Sequence, residues 1–161
     1  MHTHTRRFLS PALRGGLVAL AASIAGCATV DTTNIAWDET DGEMRRYEGF
    51  GGYARAVNTD SPEAQAWFDQ GIQLLYGFNH DEAIRSFRKA AEVDPDCAMA
   101  WWGVAYASGM NINNPEMTRS QSLRGYQASR EALKRVDNTT PEERALIEAV
   151  AQRYTWPPPK D

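Results

Sequence analysis

Four side chains in the middle of the sequence could bind a soft metal ion. They are an imidazole, a thiol and two thioethers, on His80, Cys97, Met99 and Met110. Imidazole, thiolate and thioether ligands together favour copper. Their spacing matches no recognised metal-binding motif, so a copper-handling protein is one alternative. The other is that Cys97 is a small buried side chain with a structural role.

Residues suited to catalysis are sparse. A serine or cysteine nucleophile needs a base beside it, and His80 is the only histidine after residue 26. Asp94 and Asp96 flank Pro95 and are better interpreted as helix-end and N-cap residues than as an acid and base pair. A phosphate-binding GxxxxGK loop is missing from the sequence. The sequence therefore predicts no enzymatic activity, no catalytic residue and no cofactor.

Length and composition predict one modest globular domain. The chain has 161 residues, of which 42% are hydrophobic and 24% charged. No uninterrupted apolar run reaches the roughly 18 residues that mark a membrane-spanning helix. The isoelectric point near 5.4 disfavours a nucleic-acid-binding protein, which usually carries a basic face.

The first residues have the layout of a secretory signal. Arg6, Arg7 and Arg14 precede a short apolar stretch over residues 17–25. The sequence Ile24-Ala25-Gly26-Cys27 then resembles the lipobox of bacterial lipoproteins. This resemblance implies that residues 1–26 are a signal peptide, cut before Cys27, whose thiol carries the lipid that anchors the protein. A plain cleaved signal and an uncleaved anchor are the alternatives.

The resemblance also implies a location. Three of the 17 basic residues lie in residues 1–26, which leaves 14 basic against 21 acidic residues, a net charge of −7. Residue 28 is Ala and not Asp, so the inner-membrane retention signal of some lipoproteins is missing. We therefore expect attachment to the outer membrane of a Gram-negative cell, facing the periplasm. Residues 27–60 are predicted to be a tether, some of whose aromatic side chains dock on the helices that follow.

Apolar side chains with helical spacing predict a helical domain over residues 61–156, followed by a Pro-rich tail over 157–161. Ser61-Pro62-Glu63 opens the first helix, and capping boxes at Thr118 and Thr140 open two later ones. The helix after Thr118 is expected to turn Leu123, Tyr126, Leu133 and Val136 inward. The last helix is expected to run until Trp156 and the prolines after it.

The first two helices resemble the 34-residue tetratricopeptide repeat (TPR). The matching positions are Trp67, Gly71, Leu74, Ala83, Phe87, Ala90 and Pro95. Trp101 begins a second unit 34 residues after Trp67, while Gln70 departs from the leucine usual in the motif. The resemblance implies an all-α fold of antiparallel helix pairs, an α-solenoid of about two and a half repeats. The chain also resembles the N-terminal part of longer TPR proteins, so function could lie in repeats not present here.

The TPR resemblance also implies a concave groove that binds proteins or peptides. The residues expected to contact a partner are aromatic, aliphatic or Met side chains, namely Phe68, Ile72, Tyr76, Met99, Trp102 and Tyr106. The groove positions lack the Lys and Arg cluster that would grip an acidic peptide. The alternative is that the tether or missing repeats cover these residues, which would make them core. The sequence thus predicts a lipid-anchored periplasmic scaffold for protein or peptide partners.

Overall fold

The computed structural model describes residue 42 and residues 44–160. The predictions for the signal peptide and for Cys27 lie outside these residues. A stretch without regular secondary structure precedes the first helix, and a short 3-10 helix, Val136–Asn138, lies between the last two α-helices. The α-helices are α1 (Pro62–Tyr76), α2 (His80–Val93), α3 (Ala98–Ala107), α4 (Arg119–Lys134) and α5 (Pro141–Ala151).

Polar side chains start three of these helices as predicted. The Ser61 side chain accepts a hydrogen bond from the Ala64 backbone at the start of α1. Thr118 and Thr140 each form a complete capping box with the residue three positions later, at the starts of α4 and α5. Because these signals act within one helical turn, the local sequence is enough to specify them.

Consecutive helices pack against one another. A short turn at residues 77–79 joins α1 to α2, and α2 in turn packs on α3, which packs on α4. The helices α1 and α5 also contact α3. Between residues 44 and 160 the structure contains no β-strand beyond an isolated bridge between Asn111 and Asn114, so the predicted all-α fold class is confirmed there.

Phe87 of α2 lies at the centre of the core. Its side chain is fully buried, and a methyl group added to either Gly71 of α1 or Gly103 of α3 would lie about 2.5 Å from its ring. The Phe68 ring is 5.3 Å away between centroids. The two glycines therefore let α1 and α3 approach the same phenyl ring closely.

The buried face of α4 differs from the prediction. Tyr126, Leu133 and Val136 are half-buried against the core, but Leu123 is not part of that packing. The fully buried apolar residues of α4 are Ala128 and Ala132, and several polar residues are buried beside them, namely Ser122, Arg124, Gln127, Ser129 and Glu131. They are tolerated because hydrogen bonds compensate for burial, as when Arg124 Nε donates to Ser108 Oγ at 3.0 Å.

The last helix ends earlier than predicted. It stops at Ala151, and Tyr154 beyond it folds back into the core. The Tyr154 hydroxyl donates to the Ala105 carbonyl at 2.6 Å. A methyl group added at Gly125 would lie 2.3 Å from the Tyr154 ring, so this glycine makes room for it. The chain after α5 thereby closes over α3 and α4.

Candidate partner-binding surface

Residues 44–60, which we call the N-terminal segment, have no regular secondary structure and lie along α1. Gln65 Oε1 accepts from Val57 N at 3.0 Å, and Gln65 Nε2 donates to the Arg55 carbonyl at 2.9 Å. One turn further along α1, Asp69 Oδ1 accepts from Arg55 N at 2.9 Å. Four residues advance a helix by about 6 Å, and two residues advance an extended chain by about 6.6 Å. Side chains four residues apart on α1 can therefore bond every second residue of a chain lying beside it. The helix thus pairs with the segment much as a neighbouring strand would.

Gln70 fastens the start of the segment. Its Oε1 accepts from Tyr47 N at 2.9 Å, and its Nε2 donates to the Arg45 carbonyl at 3.0 Å and to Ser86 Oγ at 3.1 Å. The Gln70 side chain is buried, so these bonds also satisfy polar atoms that have left water. A leucine, usual in the repeat motif, could make none of them.

Replacing Gln70 by leucine should release the start of the segment. The Gln70→Leu change places an apolar side chain of similar size against α2 and leaves Tyr47 N and the Arg45 carbonyl without their partner. We expect trypsin to cut after Arg45 and Arg46 at least several-fold faster than in the unmodified protein, as measured by mass spectrometry. Cleavage after Arg55, which Asp69 holds, is the internal control. Equal acceleration at Arg55 would indicate general unfolding and contradict the local role of Gln70.

The end of the segment is tied to two other helices. Thr59 Oγ1 donates to Asp94 at the end of α2, and Asn58 N donates to Glu143 Oε1 of α5 at 2.8 Å. Asp94 also accepts from Asp96 N at 3.1 Å through its other oxygen. Its carboxylate therefore shapes the turn after α2 and holds the segment.

The structure places the six predicted partner-binding residues in two groups. The first group is buried, with Phe68 and Ile72 at 0%, Met99 at 1% and Trp102 at 5% exposure. The second group is exposed, with Tyr76 at 57% and Tyr106 at 42%. In this conformation only the second group offers a contact surface to another molecule.

The first group belongs to the hydrophobic core, and Trp102 has further neighbours outside it. Phe68 packs against Phe87 inside the core. Trp102 stacks on Tyr106 with 5.1 Å between ring centroids, and the Arg55 guanidinium lies 6.0 Å from the Trp102 ring. Since Arg55 belongs to the N-terminal segment, the chain itself lies over this part of the expected groove. A cation above an indole face is also a favourable contact.

An exposed group of apolar side chains remains beside the segment, and we call it the aromatic surface. It includes Tyr53 and Phe78, which the sequence analysis did not select because they belong to the tether and to the turn after α1. Tyr53 lies 5.7 Å from the Tyr76 ring, and Tyr76 and Tyr106 line a cavity of about 260 Å³ together with Phe78 and Met110. The members of the aromatic surface are Tyr53, Tyr76, Phe78, Tyr106 and Met110, which are 42–57% exposed.

Arginines flank this surface even though the helix positions expected to face the groove carry none. Arg55 reaches it from the N-terminal segment, and Arg153, just after α5, places its guanidinium 5.1 Å from the Tyr106 ring. Both residues lie outside α1 and α3, so a search of the groove positions alone could not find them. They give the surface a positive border within a chain of negative net charge.

The four side chains considered as an alternative metal site do not lie together. His80 begins α2 and Cys97 follows its other end, and a helix of 14 residues is about 20 Å long. Burial raises the pKa of the Cys97 thiol to about 11, so it is protonated at neutral pH, whereas metals bind the thiolate. Within residue 42 and residues 44–160, no three His, Cys, Asp or Glu side chains converge on a possible metal position.

Comparison of the chain with protein-family models, with curated proteins and with solved structures found no match. None of the helices between residues 44 and 160 is both long and apolar enough to cross a bilayer. The described part of the chain therefore defines an all-helical protein with an aromatic surface beside a docked N-terminal segment.

Proposed function

We propose that the protein is a lipid-anchored periplasmic scaffold that binds a protein or peptide partner through the aromatic surface. The main observation that supports this proposal is a cavity lined by four exposed side chains, those of Tyr76, Phe78, Tyr106 and Met110. Clustered exposed aromatic and Met side chains are typical of binding surfaces, because they offer a large contact area and adaptable packing. The arginines at the border suit a partner with acidic residues beside its apolar anchors.

Several contacts support a tetratricopeptide-like repeat arrangement of the helices. Trp67 and Trp101 are 34 residues apart, and a guanidinium lies over each indole ring. The Arg46 guanidinium is 4.8 Å from the centroid of Trp67, and that of Arg135 is 5.4 Å from the centroid of Trp101. The first helices of the expected units, α1 and α3, contact each other, as do α3 and α5. Stacked helix pairs bring their first helices side by side in this way.

The membrane anchor is proposed at Cys27 from the lipobox resemblance alone. We expect the unmodified protein to sediment with the outer membrane and to incorporate labelled palmitate, and the Cys27→Ser chain to incorporate none. Palmitate that labels the Cys27→Ser chain, or fails to label the unmodified protein, would contradict this anchor without affecting the proposal for the aromatic surface.

Site-specific photocrosslinking tests the partner-binding surface. The photoreactive amino acid p-benzoylphenylalanine replaces Tyr76 or Tyr106 in cells, and Phe50 serves as a matched control because it is exposed by 42%, as Tyr106 is. We expect the same adduct bands from positions 76 and 106 and their absence from position 50. Identical adducts from all three positions, or none from positions 76 and 106, would contradict the proposed surface.

A further inference from the structure

Two arginines contact a pair of stacked rings at the edge of the aromatic surface. The rings are those of Trp102 and Tyr106, which both belong to α3. The Arg55 guanidinium lies 6.0 Å from the Trp102 ring, and the Arg153 guanidinium lies 5.1 Å from the Tyr106 ring. Each ring of the pair therefore has its own cation. One cation comes from the N-terminal segment and the other from the chain that follows α5.

Neither of these guanidinium groups is paired with a carboxylate among the residues that the structure describes. Asp69 accepts a hydrogen bond from the Arg55 backbone but forms no ion pair with its side chain. Arg85, by contrast, forms an ion pair with Glu82. Because a contact with a ring face leaves the charge of a cation in place, Arg55 and Arg153 both retain positive charge for an anionic group of a partner.

The aromatic cavity beside the stacked rings has no acidic side chain among its described lining residues. Its lining includes the rings of Tyr76, Phe78 and Tyr106 and the thioether of Met110, while Asp81 lines a neighbouring cavity. The volume of about 260 Å³ is below the roughly 300–1,000 Å³ typical of pockets for drug-sized ligands. The cavity therefore suits one apolar side chain of a larger partner better than a whole small molecule.

We propose that the partner of the aromatic surface is a peptide segment with an aromatic side chain between acidic residues. The aromatic side chain occupies the cavity beside Tyr76 and Tyr106, and the acidic side chains bind Arg55 and Arg153. This proposal deepens the proposed function and rests on it, since the same surface binds the partner. The chain has a net negative charge, so recognition of an acidic peptide depends on these two local cations.

Matched peptides test the inference on the unmodified full chain in dodecyl maltoside micelles. Acetyl-Glu-Glu-Phe-Glu-Glu-amide is compared with two peptides that carry glutamine or lysine in place of every glutamate. Methionine labelled with ¹³C in its methyl group reports binding at Met110, and its signal is assigned with a Met110→Leu chain. At about 0.1 M salt the Debye length is about 10 Å, so distant acidic residues of the chain are screened while the two arginines still act.

We expect the glutamate peptide to bind with a Kd about fivefold or more below that of the glutamine peptide, and the lysine peptide to bind most weakly. A glutamate peptide with alanine in place of phenylalanine should also bind about fivefold or more weakly, because the cavity then stays empty. Equal affinities of the glutamate and glutamine peptides, tightest binding of the lysine peptide, or no effect of removing the phenylalanine would overturn the inference. The absence of a saturable shift with the glutamate peptide would overturn it too.

Variants of the two arginines locate the acidic side chains. Arg55→Gln and Arg153→Gln should each weaken binding of the glutamate peptide about threefold and leave the glutamine peptide unaffected. A chain with both changes should no longer distinguish the two peptides. Arg46→Gln is the matched control, because the Arg46 guanidinium also lies over an indole ring, that of Trp67, but does not line the aromatic cavity.

An unchanged preference for glutamate in the folded double variant, or an equal loss in the Arg46→Gln control, would contradict the assignment. Circular dichroism checks that the variants fold. If the double variant does not fold, Arg153→Gln still decides, since Arg153 is exposed and its substitution leaves the N-terminal segment in place.

Cross-linking of the purified protein without peptide distinguishes other occupants of the surface. With p-benzoylphenylalanine at position 106, we expect no cross-link to residues 28–41 of the same chain and none between two copies. Either cross-link would overturn the inference, because the protein itself would then supply the occupant. The cross-links to a partner in cells do not depend on the charge of that partner. Their presence without a preference for glutamate would overturn only the inference, whereas their absence would contradict the proposed function.

Discussion

Replacing Phe87 with alanine is expected to lower the free energy of unfolding by about 3–5 kcal/mol. The ring is fully buried and fills the space that Gly71 and Gly103 leave between α1, α2 and α3. Neither glycine has a side chain that could move into the resulting cavity, so the site cannot collapse easily. The whole arrangement of the first three helices depends on this contact.

Urea unfolding followed by circular dichroism measures the loss. Phe50→Ala is the matched control, since Phe50 is exposed by 42% and its removal should change stability by no more than about 0.5 kcal/mol. A Phe87→Ala chain within about 1 kcal/mol of the unmodified protein would contradict the packing around the two glycines.

Replacing Tyr154 with alanine is expected to cost about 3 kcal/mol or more, although this residue lies beyond the last helix. Its ring occupies the space beside Gly125, and its hydroxyl bonds the Ala105 carbonyl. The matched Tyr154→Phe change removes only the hydroxyl and should cost about 0.5–1.5 kcal/mol. Similar losses in the two variants, measured by urea unfolding, would show that the ring does not fill the space.

Alkaline pH provides a second readout for Tyr154. Burial raises its pKa from 10.0 to about 12, because the phenolate is disfavoured inside the protein. A raised pKa in the folded state contributes stability below pH 10, and that contribution is lost as the pH rises through about 12. The stability advantage of the unmodified protein over Tyr154→Phe should shrink across this interval. An unchanged difference would contradict the buried position of the hydroxyl.

The helices were predictable because their signals are local. The caps at Ser61, Thr118 and Thr140 and the apolar spacing around Phe87 each act within a few turns of helix. The polar buried face of α4 was not predictable, because the burial of Arg124 depends on Ser108, which lies at the end of the preceding helix, α3. Apolar periodicity alone selected Leu123 for the core, where the structure does not place it.

The candidate surface was predicted only in part. Tyr76 and Tyr106 were selected from the repeat positions and are exposed. Tyr53 and Arg55 join them from a stretch without periodicity, which offers no pattern from which a docking position could be read. The aromatic side chains of the tether predicted docking but not its position. The unusual Gln70 was a second signal, since a buried amide among apolar neighbours requires hydrogen-bonding partners.

The pairing of α1 with residues 53–57 implies a competition. A peptide that binds the face near Trp102 has to displace the N-terminal segment, which belongs to the same chain. A short flexible linker gives such a tethered segment an effective concentration on the order of millimolar. Ligands that bind this face only weakly cannot displace the N-terminal segment. The exposed tyrosines beside the segment then determine which partners bind, because no part of the chain has to be displaced from them first.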